Sequence, residues 1–288
     1  MPVLRRLKVN PFVLFWALPL LVWQAAFFLT PFVLLVLMSF WIVQNYRLTH
    51  VYTIANWASL LHGDLLGPVY ARTFIYASVI SIVVTIAAFP FAYGLAYKTS
   101  SAGRRLALLL LVTPFFTSYL LRSYSWELIF ARQGLLNKGL QTIGIGGVHH
   151  LGTPFATGVG YATYSFPLVT LLLLLSLVNV DRDLVEAANN LGAGRLRSIL
   201  RVVLPSAKIG FVFAISFAFI LAFGDFIAPT ILGSSNGVTL SILLNEQIKS
   251  GADFPSAAVL ALIMVATLVF VVFATFRLAF PPKKEARA

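Results

Sequence analysis

Six long apolar runs constrain this chain more than any other feature. They fall near residues 12–40, 70–97, 105–131, 155–178, 208–231 and 254–278. Each is close to the ~20 residues that carry a helix across a hydrocarbon core. Of the 288 residues, 59% are hydrophobic and 10% charged, against roughly 25% charged in a soluble domain. Such a chain has too little polar surface to cover itself in water, so the bilayer is its solvent. The expected fold class is an all-α membrane protein with six transmembrane helices, in one transmembrane domain over residues 1–288.

Two of the runs are irregular. The third contains Arg122 and Glu127, and the first is overlong and holds Pro19 and Pro31, which suits an interfacial helix joined to a span. Arg5, Arg6 and Lys8 precede that first run. A cleaved signal carries only about 7–15 apolar residues, so the run reads as an uncleaved first span.

Basic residues orient the chain, because Lys and Arg concentrate in cytoplasmic loops. One side carries Arg5, Arg6, Lys8, then Lys98, Arg104, Arg105, then Arg182, Arg195, Arg197, Arg201, Lys208, and finally Arg277, Lys283, Lys284 and Arg287. The other carries Arg47, Arg72, Arg122, Arg132, Lys138 and Lys249. This bias of 15 to 6 places both termini in the cytoplasm. It also explains the net charge of +12, which marks span ends and membrane lipid, with no nucleic acid as partner. The outer loop from Gln44 to Val69 mixes Tyr46, Tyr52 and Trp57 with polar residues, as an interfacial segment does.

The connection from Asp181 to Lys208, DRDLVEAANNLGAGRLRSILRVVLPSAK, is the longest on the cytoplasmic side. Asp181 or Asp183 can cap a helix start. Leu184, Val185, Ala187, Ala188 and Leu191 then recur with helical spacing. Gly192 stands where a helix end needs a residue tolerant of positive φ. A second, basic helix over about Arg195 to Val203 is expected to stop at Pro205. The result is a helix–turn–helix at the membrane surface.

These residues carry a resemblance. Glu186-Ala187-Ala188, then Gly192, Val202 and Leu204-Pro205 are similar to the EAA loop of binding-protein-dependent ABC importer permeases, with Val202 where that pattern usually has Ile. The resemblance implies the type I importer permease architecture, with the loop as a coupling helix that enters a cleft of an ABC ATPase dimer. It implies a second, related permease subunit and a periplasmic solute-binding protein as partners, in the bacterial inner (plasma) membrane. ATP and Mg belong on the partner ATPase, so this chain is expected to hold no cofactor.

Other patterns fit a chain without chemistry of its own. There is no cysteine, no G-x-x-x-x-G-K-[ST] loop, no H-E-x-x-H and no G-x-S-x-G elbow. His50, His62, His149 and His150 form no helical metal pair. Neither a catalytic constellation nor a metal site is expected, which argues against an intramembrane enzyme.

Leu121 to Trp126, Gly134-Leu135-Leu136-Asn137 and Phe223-Gly224-Asp225-Phe226 with Pro229 and Gly233 resemble the spermidine/putrescine permeases, a pattern shared in part by permeases for iron, thiamine, opines and other small solutes. Ionisable residues within a span usually face a cavity or a partner. Asp225 and Glu127 are therefore substrate-path candidates for a polyamine, with Trp126, Tyr124 and Phe226 as aromatic faces for its ammonium groups. The structural readings of the same residues pair Glu127 with Arg122 and make Asp225 a cap at a kink near Gly224 and Pro229. A self-contained secondary carrier leaves the Glu-Ala-Ala loop unexplained.

Overall fold

The computed structural model describes residues 11–44, 47–144, 150–233 and 237–280. The basic residues Arg5, Arg6, Lys8, Lys283, Lys284 and Arg287, with His149 and Tyr46, lie outside the described residues.

Lipid offers no partner to backbone N–H and C=O groups, so each apolar run closes its hydrogen bonds on itself as helix. In chain order these are α1 (Pro11–Gln24), a π-turn (Ala25–Leu29) and α2 (Thr30–Met38). A hairpin of β1 (Ile42–Gln44) and β2 (Arg47–Thr49) follows, then α3 (Ala55–His62) and α4 (Leu66–Tyr97). Next come α5 (Ser101–Val112) with a 3-10 extension (Thr113–Phe116), α6 (Tyr119–Phe130), α7 (Leu135–Thr142) and α8 (Pro154–Val178). The surface loop forms α9 (Arg182–Asn190), α10 (Arg195–Ser198), a second π-turn (Ile199–Val203) and α11 (Leu204–Ser206). The chain continues with α12 (Lys208–Gly224), α13 (Ile227–Leu232), α14 (Leu240–Lys249) and α15 (Phe254–Ala279).

Among the described residues four stretches are long and apolar enough to cross a bilayer: Phe15–Met38, Leu66–Tyr97, Pro154–Val178 and Phe254–Ala279. Two more qualify only as bent pairs, Ser101–Phe116 with Tyr119–Thr142 at 93° and Arg195–Ser206 with Lys208–Gly224 at 78°. The irregular third run, expected over 105–131, is thus built as two limbs that break at Thr117 and Ser118. Arg122 accounts for the break. Its Nη2 donates to the Pro114 carbonyl and to Thr117 Oγ1, both at 2.5 Å, and its Nη1 to the Thr163 carbonyl at 3.2 Å. The guanidinium supplies donors where the ladder ends, as an interrupted membrane helix requires. The fifth run, expected over 208–231, breaks at Asp225 and Phe226.

Both π-turns stand just before a proline, at Thr30-Pro31 and Leu204-Pro205. The amides of Thr30 and Leu204 reach back five residues, to the carbonyls of Ala25 and Ile199. This widening accommodates a ring that would strike the carbonyl four residues back in a regular helix. The stop expected at Pro205 therefore falls one residue later, at Ser206, and the chain bends at Ala207.

The chain divides into two compact units, one from residues 1–63 and 246–263, the other from 64–245 and 264–288. In the first, none of the apolar window within Phe15–Met38 is buried. The hairpin pairs Ile42 with Thr49, Val43 with Leu48 and Gln44 with Arg47. Asn56 Nδ2 donates to the carbonyls of Ser39 (3.1 Å) and Trp41 (2.7 Å), closing the end of α2.

In the second unit α4, α8 and α12 pack into one core of Val84, Ala88, Ala92 and Ala96 against Val169, Leu173, Leu177, Ala214 and Ala218. Alanine every fourth residue lays a smooth face along α4, and small faces are what let membrane helices approach. Gly210 marks the tightest crossing. A Cβ there would stand 2.1 Å from Ser176 Cβ, so only glycine fits.

Candidate functional site

The surface loop builds an elbow from local chemistry. Asp181 Oδ1 accepts the Asp183 amide at 3.0 Å and opens α9, satisfying one of the free N–H groups of a helix start. At the other end Gly192 adopts φ +79, and the Ala193 amide reaches back to the Ala188 carbonyl at 3.0 Å. That six-to-one bond closes a left-handed Schellman cap. Gly194 then turns the chain into the second limb.

The two limbs expose different things. Glu186 and Ala187 are exposed, Ala188 is half-buried, and Leu191 is 88% exposed at the elbow tip. Leu184, Leu196 and Leu200 are also exposed. The second limb anchors instead. Val203 and Ala207 are buried within the α4–α8–α12 core, Val202 and Leu204 are half-buried, and Pro205 is exposed. On α9 it is Val185 that rests on that core. A cavity of about 390 Å3 separates the elbow from the end of α4, with Pro90, Tyr93 and Lys98 on one wall and Val185, Arg195 and Ile199 on the other.

The substrate-path candidates do not converge. Asp225 is buried at the break between α12 and α13 and is fully engaged. Its Oδ1 accepts the Ile227 amide at 2.8 Å, and its Oδ2 accepts the Ala228 amide at 3.4 Å and the Tyr119 hydroxyl. Its own carbonyl accepts Ser241 Oγ at 2.7 Å. The carboxylate thus caps α13 and ties it to α6, which is the capping role read from Gly224 and Pro229. The aromatic partner is Tyr119, stacked on Tyr164 at 4.3 Å, rather than Tyr124 or Trp126. Sequence reasoning missed Tyr119 and Ser241. The one signal for the former was its place two residues before Leu121-Arg122.

Glu127 is half-buried on α6. Its expected pairing with Arg122 is corrected: that guanidinium is spent on Pro114, Thr117 and Thr163. Among the described residues no hydrogen bond or ion pair reaches the Glu127 carboxylate. Trp126 stacks on Phe130 at 5.3 Å, while Tyr124 and Phe226 are 48% and 46% exposed. His150 packs against Phe130 and Phe155, and no cluster of metal-ligating side chains occurs among the described residues.

Residues 85–283 match the family described as binding-protein-dependent transport system inner membrane component. The spermidine/putrescine transport system permease protein PotB of Escherichia coli K12 is 27% identical over 231 residues, 77% of this chain and 82% of that one. The inner membrane ABC transporter permease protein YdcU of the same organism is 29% identical over 210 residues, covering 67% and 66%. A chain of the bacterial alginate ABC transporter, solved with an alginate pentasaccharide-bound periplasmic protein, superposes with a TM-score of 0.75 at 16% identity and covers 92% of each chain. That likeness is one of fold.

Proposed function

Because the chain belongs to the binding-protein-dependent transport system inner membrane components, and is therefore a multi-pass inner-membrane permease subunit of an ABC importer rather than an enzyme, we propose that its elbow couples it to an ATPase. The observation that carries this reading is the capped α9 with Glu186 and Ala187 facing outward, joined through Gly192 to a limb rooted in the core. Small side chains on α9 permit close approach by another backbone, and Glu186 offers an acceptor to a cation or amide. The second limb runs into α12 through a 78° bend. Movement of α9 is thereby passed to the α4–α8–α12 core. In this reading both bent pairs count as spans, giving six, with both termini cytoplasmic.

The complete importer would contain this chain, a second permease, two ATPase subunits that bind ATP and Mg, and a periplasmic solute-binding protein. For the cargo we propose a polyamine, spermidine or putrescine, on the strength of the PotB relatives and of Glu127. A half-buried carboxylate on an apolar helix, with no partner among the described residues, favours a cation, and spaced ammonium groups supply one. Glu127 is the stronger path candidate, since Asp225 is already committed to its cap. Trp126, Tyr124 and Phe226 remain candidates for aromatic contact.

The test is co-purification of the ATPase and uptake of labelled spermidine for Glu186→Arg and Gly192→Leu. Both losses are expected with membrane insertion intact. Unchanged uptake in both variants overturns the coupling role. Uptake that unlabelled polyamines fail to compete overturns the cargo alone.

A further inference from the structure

On one flank of the second unit α12 and α15 run antiparallel. Lys208 Nζ lies 4.5 Å from the Phe280 ring, Phe213 meets Phe276 at 5.3 Å, and Ser216 Oγ is 3.0 Å from Thr275 Oγ1. Further along the pair opens into a groove of about 560 Å3, lined by Ile220, Leu268, Val269, Val272, Phe273 and Phe276 with carbon surface alone.

The rim of this groove is cationic. Arg277 Cζ sits 5.3 Å over Phe273, a groove residue, and Phe280 beneath Lys208 stacks on Phe276, another. Both cations are exposed, and among the described residues no carboxylate pairs with either. Lys208 also opens α12, where the helix dipole disfavours positive charge. An apolar groove that ends at two cations with no described carboxylate beside them, at the ends of two apolar helices, matches a molecule with a hydrocarbon chain and an anionic head.

We propose that the groove between α12 and α15 is a binding site for one anionic phospholipid, its acyl chain along Val269 and Val272 and its phosphate between Lys208 and Arg277. The site is separate from the elbow tip and from Glu127, and does not depend on the cargo. Two basic side chains at a membrane surface predict a preference for phosphatidylglycerol over phosphatidylethanolamine of roughly 10- to 30-fold.

The full-length chain, purified in mild detergent and exchanged into mixed micelles of each lipid, can be read by native mass spectrometry. Wild type is expected to retain one phosphatidylglycerol with that preference. Lys208→Gln with Arg277→Gln should bring the ratio near one, Lys208→Arg with Arg277→Lys should keep it, and Val272→Trp should displace both lipids. Equal retention of the two lipids by wild type overturns the proposal, as does a preference that survives the double Gln variant. The chain has no native cysteine, so Val269→Cys reports a second chain in the groove. High-yield chain-to-chain disulfide in the presence of phosphatidylglycerol also overturns it.

Discussion

Asp225 and Glu127 are both carboxylates in apolar surroundings, and their neighbours give them opposite work. Asp225 receives two amides and the Tyr119 hydroxyl. Asn in its place presents an NH2 where the carboxylate has one of its acceptor oxygens, leaving donors facing donors. Asp225→Asn should therefore lower thermal stability in detergent, with uptake falling only in step with folded protein. Tyr119→Phe removes one of these bonds and should cost about 1 kcal/mol, the scale of interhelical hydrogen bonds in membranes. Glu127→Gln should do the reverse, cutting polyamine uptake severalfold while the amount of folded protein in the membrane stays constant. If it lowers stability and not uptake, Glu127 has a partner in the assembled importer and is no part of the path.

The elbow and the helix crossings belong to the scale of elements. Gly192 holds φ +79, which costs an L-residue roughly 1–2 kcal/mol. Nothing lies within 4 Å of where its Cβ would be, so Gly192→Ala strains the turn without a clash and should weaken ATPase co-purification less than Gly192→Leu. Gly210 is the converse case, with an ordinary φ and no room. Gly210→Val drives a side chain into Ser176 and the Leu172 carbonyl, and overpacking of this kind costs about 1–3 kcal/mol or more. Lower yield and melting temperature of the purified chain are expected. Normal stability would mean that α8 and α12 do not cross as closely as described.

Across the whole molecule the question is how a chain with four unbroken spans and two bent pairs sits in the bilayer. Six crossings predict that reporters fused at either terminus are both active in the cytoplasm, and that a reporter after Thr142 is active outside. A bent pair that re-enters the same face would put that last reporter in the cytoplasm.

Hydropathy, the basic bias and the elbow's caps were legible in the sequence because each depends on a residue and its near neighbours. Asp181, Gly192 and the limits of α9 act over a few positions, and the structure places them accordingly. The breaks were half legible: Arg122 stood out in an apolar run, but nothing local told that it would cap the Pro114 carbonyl. Partner choice was beyond local reading. Tyr119 and Asp225 are 106 residues apart, and Glu127 has no partner among the described residues, since Arg122 is drawn to Thr163 on another helix. The sequence by itself determined that lipid is the solvent, where helices form and how the elbow turns, since transfer energy and capping are local sums. Only the tertiary structure decided which buried polar groups meet, because that choice is made by the packing of segments distant in the chain.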